Sequence, residues 1–396
     1  MLRVPVDKIT AGMILARPIP LAGESTRFLL QRDREIPLDA IPRLQELGVM
    51  EVWVRCRNLE FLEAVIDPEL GERQRDVYRS VRRNFEAIMD GSSLQLDASQ
   101  FTSSISELFT FLQESACGSI LLQKLDAYDN YLMSHSTNVC YLALLLGMKL
   151  ERYLIAERSH RTPKQAKDLQ ELGLGCILHD VGKMKTPPEI LNKPSRLTDE
   201  EMAEMQKHPV IGFEMVKGRV PAAAAAVVLN HHQRFGGGGY PERHDPVTGA
   251  PAPPMQGKQI PIFCRIATVC DVFDAATTAR CYSGAKLAVQ ALFEMQTYCS
   301  SFFDPVVSDA FYRIIPPFPI GQIVTLSSGE EAVVIDFNPN VANRPKVQVI
   351  RDASGHPVSN PSLHERDLAI YCDLDIVSVN ETDVRPFLQP QAEAKV

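Results

Sequence analysis

At 396 residues the chain exceeds one average domain, so two or three domains are expected. Apolar residues make up 45% and charged residues 23%, the balance of an ordinary soluble globular protein. The formal net charge of -8 argues against generic binding of polymeric nucleic acid through a basic surface, while leaving room for a local basic pocket.

Nine cysteines, an odd number without a CxxC pair, point away from a disulfide framework and toward a reducing cytoplasm. The opening "MLRVPVDKITAGMILARP" lacks the apolar core of a signal peptide. Apolar stretches such as "AAAAAVVL" are far too short to span a membrane. A cytoplasmic protein with no membrane contact is expected, and its oligomeric state is left open.

Residues 1–66 read as a small α/β module. In "LDAIPRLQELGV" apolar residues recur at helical spacing, with Gly48 placed as a stop, and "MEVWVR" reads as a short strand. Residues 67–104 include the charged, amphipathic "DPELGERQRDVYRSVRRNFEAIMD", which predicts a helical connector. From 105 to 315 the pattern is almost entirely helical, and "HSTNVCYLALLLGMKL" and "DLQELGLGCILHDVGK" are apolar enough to be buried helices. Thr198 with Glu201 makes a capping box ahead of "EEMAEMQKH". "RVPAAAAAVVLNHH" predicts a closely packed helix starting near Pro221, followed by a flexible glycine loop. Residues 316–396 are rich in β-branched side chains broken by Ser-Gly turns, which predicts a small antiparallel β module.

Five of the nine histidines fall in or beside this helical region's apolar segments: His135, His179, His208, His231 and His232. His179 and Asp180 end an apolar helix, and Asp271 sits in the equally apolar "PIFCRIATVCDVFDAATT". A carboxylate buried there without a partner costs several kcal/mol, and a bound cation removes that cost. His208 precedes Pro209, which fixes the backbone, and the His231–His232 pair leaves a helix just before the glycine loop. Imidazole and carboxylate together suit iron, manganese or zinc. A lone histidine is usually satisfied or exposed, and an HD dipeptide is common. The ordered set of HDxGK, His-Pro, His-His and a helical Asp is far more specific than its parts.

Residues 105–315 resemble an HD-GYP domain, a branch of the HD superfamily of metal-dependent phosphohydrolases. The matching text is "HSTNVCYLALLLG", "GCILHDVGKMKTPPEILNKPSRLTDEEMAEMQKHPVIGFEMV", "LNHHQRFGGGGYPER" and "IPIFCRIATVCDVFDAATTARCYS", including Gly239-Tyr240-Pro241. The flanking segments are similar to modules found beside such domains. The resemblance implies a mainly α, helical-bundle HD-type core between a small α/β and a small β module. It implies hydrolysis of cyclic di-GMP to linear pGpG or GMP by a hydroxide that two metals, iron or manganese, activate. His135, His179, Asp180 and Asp271 would hold one metal, and Asp180 would bridge to a second bound by His208, His231 and His232. Asp180 and Lys183 would be catalytic. Lys183, Gly239, Tyr240, Pro241, Arg280 and Lys286 would meet the substrate.

The sequence departs from the family at several points. Tyr131 stands where some members carry a third-metal glutamate, so two metals are expected. Gln233 replaces a glutamate and Gly236 an aspartate in the loop after the paired histidines. Ser283 replaces a basic residue, for which Lys286 could compensate. The insertion "RHDPVTGAPAPPMQGKQ" reads as loop. His160, His244, His356 and His364 read as solvated. Two further readings follow: a cyclic-dinucleotide receptor or protein-interaction module with little catalysis, or a phosphodiesterase acting on another cyclic dinucleotide.

Overall fold

A computed structural model describes residues 1–20, 28–47, 49, 51–65, 68–89, 98–114, 131–245, 248–278, 285–359 and 363–388. At the amino end lie β1 (Leu2–Pro5), β2 (Ile19–Pro20), β3 (Phe28–Leu30), α1 (Ile41–Glu46) and β4 (Glu51–Val54). β1 pairs antiparallel with β4, and β2 with β3. Val4, Val52 and Val54 pack with Leu44 of α1 and Ile36 in a small core. The helix and strand expected from "LDAIPRLQELGV" and "MEVWVR" are both present, and Gly48 lies outside the described residues.

After the short α2 (Leu62–Val65) come two long helices, α3 (Pro68–Met89) and α4 (Ala98–Glu114). They pack on each other, and α3 also meets the next helix. Val77, Val81 and Phe85, each one turn apart, are buried together with Phe101, Ile105 and Leu108. The amphipathic segment read as a connector thus joins the main core, because its apolar stripe needs a partner away from water.

The central bundle follows: α5 (Tyr131–Lys149), α6 (Glu151–Glu157), α7 (Pro163–Ala166), α8 (Gln170–Leu178), α9 (Pro188–Leu191), α10 (Asp199–Met205), α11 (His208–Val216), α12 (Ala222–Asn230), α13 (Ile262–Thr277), α14 (Ala288–Thr297), α15 (Cys299–Phe302) and α16 (Pro305–Ile314). α8 is buried from Leu172 to Leu178 and lies between α5 and α12, while α13 packs on α5 and α12. Such all-round burial marks a central helix. Ala224 and Ala225 are buried, and their small side chains let α12 lie close to α8, where Val227 meets Gly175. Thr198 caps α10 in a reciprocal capping box with Glu201, as its sequence predicts.

The carboxyl-terminal strands are β5 (Ile323–Leu326), β6 (Glu331–Asp336), β7 (Lys346–Arg351), β8 (Glu365–Asp367), β9 (Ile376–Val379) and β10 (Thr382–Asp383). They form an antiparallel sheet in the order β10-β9-β5-β6-β7-β8. Its core of Val324, Val333, Val347 and Val379 also takes in Met1, Ala16, Leu59 and Leu62 from the amino end, and Val289 from α14. The molecule is therefore mainly α, with an HD-type helical bundle and a small β sheet at the carboxyl end. Among the described residues no helix is long and apolar enough to cross a membrane.

Candidate metal centre

The site is assembled where helices end. α8 stops at Leu178, leaving His179 and Asp180 at its carboxyl end. His208 opens α11, and His231 and His232 follow the last residue of α12. His135 projects from α5 and Asp271 from α13. α11 reaches Asp180 because residue 182 is glycine. A Cβ there would lie 2.0 Å from the His208 carbonyl oxygen, closer than any side chain permits. The glycine of HDxGK thus lets the two histidine-bearing turns touch.

Asp180 is the hub. One of its oxygens lies 3.2 Å from His208 Nε2 and 3.8 Å from His231 Nε2. The other lies 3.3 Å from His179 Nε2 and 3.7 Å from His135 Nε2. Asp271 Oδ1 is 3.1 Å from His135 Nε2 and 3.9 Å from His179 Nε2, and its Oδ2 is 3.8 Å from His232 Nδ1. Three overlapping groups each place their donor atoms within 4.8 Å of one another: Asp180, His208, His231 and His232; His135, His179 and Asp180; His179, His231 and Asp271.

The tautomers follow from the partners. Nδ1 of His179 donates to the Cys176 carbonyl at 2.7 Å, that of His208 to Met205 at 2.7 Å, and that of His231 to Val228 at 3.0 Å. Carbonyls only accept, so these Nδ1 atoms carry the proton and each Nε2 lone pair faces the cluster. Burial, then the neighbouring imidazoles, pushes His231 far below its ordinary value. Burial pushes His232 down to about 3. Both are neutral. His135 goes the other way: burial opposes its charge, but hydrogen bonds to Asp271 and Asp274 outweigh that and raise it to about 9. Burial works against the charges of Asp180 and Asp271, yet both carboxyls are held well below their ordinary value, Asp180 with the Lys183 ammonium beside it and Asp271 with a hydrogen bond from His135.

His179 Nε2 and Asp180 Oδ1 are buried without a hydrogen-bond partner among the described residues. Orphaned buried atoms of this kind need an explanation. A cation accounts for them, and a donor set of imidazoles and carboxylates fits divalent metal binding.

One contributor escapes sequence reading. Asp274, fully buried on α13, meets His135 Nδ1 at 2.8 Å. It fixes that ring as the carbonyls fix the others. Its signal was the spacing in "DVFD", which puts Asp271 and Asp274 on one helix face.

Lys183 Nζ lies 2.6 Å from Asp180 Oδ2, so its ammonium is tied to the hub. Lys286 Nζ pairs with Glu294 of α14 at 2.5 Å and is half exposed. Arg280 and Ser283 lie outside the described residues, as does the side chain of Tyr131. His160, His244 and His356 are exposed, and neither they nor His364 join a metal-capable group among the described residues.

The glycine loop is better anchored than its composition suggests. Gly236 N donates to Ser301 O at 3.0 Å and Gly237 N to Arg234 O at 2.9 Å. A Cβ at Gly236 would sit 2.9 Å from Ser301 O, so this packing has no room for an aspartate. Gln233 is buried and donates Nε2 to the Pro241 carbonyl at 2.8 Å. The described part of the insertion is loop up to a single 3-10 turn at Gly257–Gln259, tied back by Gly257 N to Phe235 O at 2.7 Å.

Residues 141–307 match the model of the HD domain, and residues 323–383 match a KOW domain associated with HD domains. A cyclic di-GMP phosphodiesterase of Pseudomonas aeruginosa is 32% identical over 234 residues, 59% of this chain and 51% of the relative. A cyclic di-GMP phosphodiesterase response regulator of Xanthomonas campestris is 34% identical over 163 residues, 40% of this chain and 39% of the relative. A 3'3'-cGAMP-specific phosphodiesterase of Vibrio cholerae is 37% identical over 131 residues, 32% of this chain and 23% of the relative. The chain spans about half or less of the length of these relatives. A solved HDG"Y"P protein of Bdellovibrio bacteriovorus aligns with a TM-score of 0.47 at 14% identity, over 78% of this chain and 97% of that one. Residues 141–307, which hold the HD motif, the later histidines and Gly239-Tyr240-Pro241 in order, are thus similar to the HD domain, and the curated relatives they resemble are cyclic-dinucleotide phosphodiesterases.

Proposed function

We propose that this chain is a metal-dependent phosphodiesterase that hydrolyses cyclic di-GMP to linear pGpG, to GMP or to both, in bacterial cytoplasmic signalling. The observation that carries the reading is Asp180, whose two oxygens face separate sets of imidazoles. A carboxylate so placed suits two neighbouring cations. His135, His179, Asp180 and Asp271 would hold one, and Asp180, His208, His231 and His232 the other. Bound iron or manganese would acidify coordinated water near neutral pH and draw charge from the phosphate oxygens.

The chain's own residues prepare that site. Neutral His231 and His232 offer lone pairs without first losing a proton. Lys183, held beside Asp180, brings a positive charge to where a phosphate oxygen would lie. Gly239, Tyr240 and Pro241 form one wall of the substrate cleft, with Arg280 and Lys286 as further phosphate contacts. The catalytic unit is assigned to residues 105–315. Residues 67–104 link it to the module of 1–66, and 1–66 with 316–396 offer surfaces for signalling partners.

The test is an assay of full-length protein loaded with iron(II) or manganese(II) on cyclic di-GMP, with Asp180→Ala as control. Release of pGpG or GMP by the parent and its loss in the variant is expected. Binding of cyclic di-GMP without turnover under every metal tried would sink the enzyme reading in favour of a receptor. The cGAMP-specific relative supports a second reading, in which another cyclic dinucleotide is the substrate. Faster turnover of 3'3'-cGAMP than of cyclic di-GMP in the same assay would establish it.

A further inference from the structure

His232 is held differently from its neighbours. Each of the other four histidines in the cluster has Nδ1 fixed by an acceptor: Asp274, or the carbonyl of Cys176, Met205 or Val228. Neither ring nitrogen of His232 has a hydrogen bond among the described residues, and Asp271 Oδ2 stands 3.8 Å from Nδ1. Its side chain is 21% exposed, against at most 1% for the other four. A histidine's last torsion is broad, so something else must set the direction of this ring. What contacts it is other rings. His231 lies 4.1 Å away between centroids, and Tyr240 lies 4.4 Å away at an interplanar angle of 33°.

Tyr240 reaches His232 because the chain doubles back. Tyr240 N donates to His232 O at 3.4 Å, Arg234 N to Gly238 O at 3.2 Å, and Gln233 bridges Gly239. The outer side of this turn is tied to α15. Phe235 N donates to Phe302 O at 3.0 Å, and the Arg234 guanidinium lies 4.1 Å over the Phe302 ring. The inner side is tied by the buried Gln233 amide, whose Nε2 donates to Pro241 O. An ionised glutamate in its place accepts only, and would face that carbonyl with no proton to share.

We propose that Gln233 and Tyr240 are positioning residues for His232. The Gln233 amide clamps the Tyr-Pro segment, and the clamped Tyr240 ring keeps the His232 imidazole turned toward Asp180 and His208. The inference rests on the histidine cluster being the metal centre proposed above. It gives Gln233, a departure from the family pattern, a role that its amide donor suits and a carboxylate does not.

The experiment uses metal-free full-length protein with carbon-13-labelled histidine. Ring-proton resonances are recorded first, and zinc(II) is then titrated by equilibrium dialysis. Tyr240→Ala and Gln233→Glu are expected to move the His232 resonances downfield as the tyrosine ring current is lost. They are also expected to weaken one zinc equivalent by about ten-fold or more, the usual effect of losing an outer partner of a ligand. Tyr240→Phe keeps the ring and is expected to match the parent in both readings. Unchanged zinc affinity in Tyr240→Ala and Gln233→Glu, or a Tyr240→Phe variant as impaired as Tyr240→Ala, overturns the proposal. Where Tyr240→Ala fails to fold, Gln233→Glu and Tyr240→Phe decide by the same two readings. Parent protein that binds no zinc refutes the metal centre and this inference together. His232 resonances indifferent to residue 240 refute this inference alone.

Discussion

His135 meets a carboxylate, Asp274, where the carbonyl-fixed histidines of the cluster meet backbone. That contact would keep the His135 proton on Nδ1 were a metal to occupy the other side. Asp274→Ala leaves a buried N–H unpaired, which costs about 1–3 kcal/mol. It is expected to weaken zinc binding to the metal-free protein by about 10–100-fold. Asp274→Asn retains an acceptor oxygen and is expected to fall between parent and alanine variant. Equilibrium dialysis with zinc, beside thermal unfolding of each variant, measures both effects, and wild-type affinity in Asp274→Ala would refute the role. The histidines and aspartates of the cluster were legible because polar residues interrupt otherwise apolar helices, as in "GCILHDVGK". Asp274 was not, because its partner lies 139 residues away and only helix packing joins them. Gly236 and Gln233 could be read only as losses until the backbone of Ser301 and the carbonyl of Pro241 came into view.

Among elements, α13 matters most, since it carries both Asp271 and Asp274. Its other end is held by Arg265, a buried guanidinium. Arg265 donates to the Ile260 carbonyl at 2.8 Å and to the Tyr153 hydroxyl at 2.9 Å, and pairs with Glu157 of α6 and with Asp304, the N-cap of α16. Burial works against the Glu157 charge, yet Lys258 and Arg265 outweigh it and hold this carboxyl below its ordinary 4.5. A lowered folded value means stabilisation that is present above pH 4.5 and lost as pH falls further. Glu157→Gln is therefore expected to be less stable than the parent near neutral pH and to lose less stability on acidification below 4.5. Thermal unfolding between neutral pH and about pH 3 checks the slope, and parallel curves would exclude Glu157 as a contributor. Arg265→Met takes the guanidinium from buried Asp304 and leaves Glu157 with Lys258 as its remaining cation, and should cost about 3 kcal/mol. α3 and α13 were legible from their own segments, whereas α6 and α16 fell only within a stretch read broadly as helical. Their mutual contacts were not legible, because an amphipathic stripe says that a partner exists without saying which.

For the whole molecule, sequence order and spatial order diverge. The opening segment and the last sheet read as separate modules, yet they share one core, and Arg3 N donates to Gly321 O at 2.9 Å. Trp53 of β4 lies over Gly321, and the Arg3 guanidinium stands 5.8 Å from the Trp53 ring. Gly321 has φ +85°, and a Cβ there would lie 2.5 Å from the indole. Gly321→Ala therefore combines a left-handed backbone with an overlap at the seam, and is expected to weaken it by about 1–3 kcal/mol. Trp53 is the chain's single tryptophan, so its fluorescence reports this seam alone, while the far-ultraviolet helix signal reports the bundle. If both ends form one cooperative body, denaturant moves Trp53 emission and the β-sheet signal together in the parent. In Gly321→Ala that joint transition should come at lower denaturant, with the helical midpoint little changed. A Trp53 transition that parts from the sheet signal would instead make the opening segment an independent unit. α14 contributes Val289 to this core and Ala291, Leu292 and Met295 to the bundle's. Loosening the seam should then also broaden the helical transition slightly, because one helix takes part in both cores.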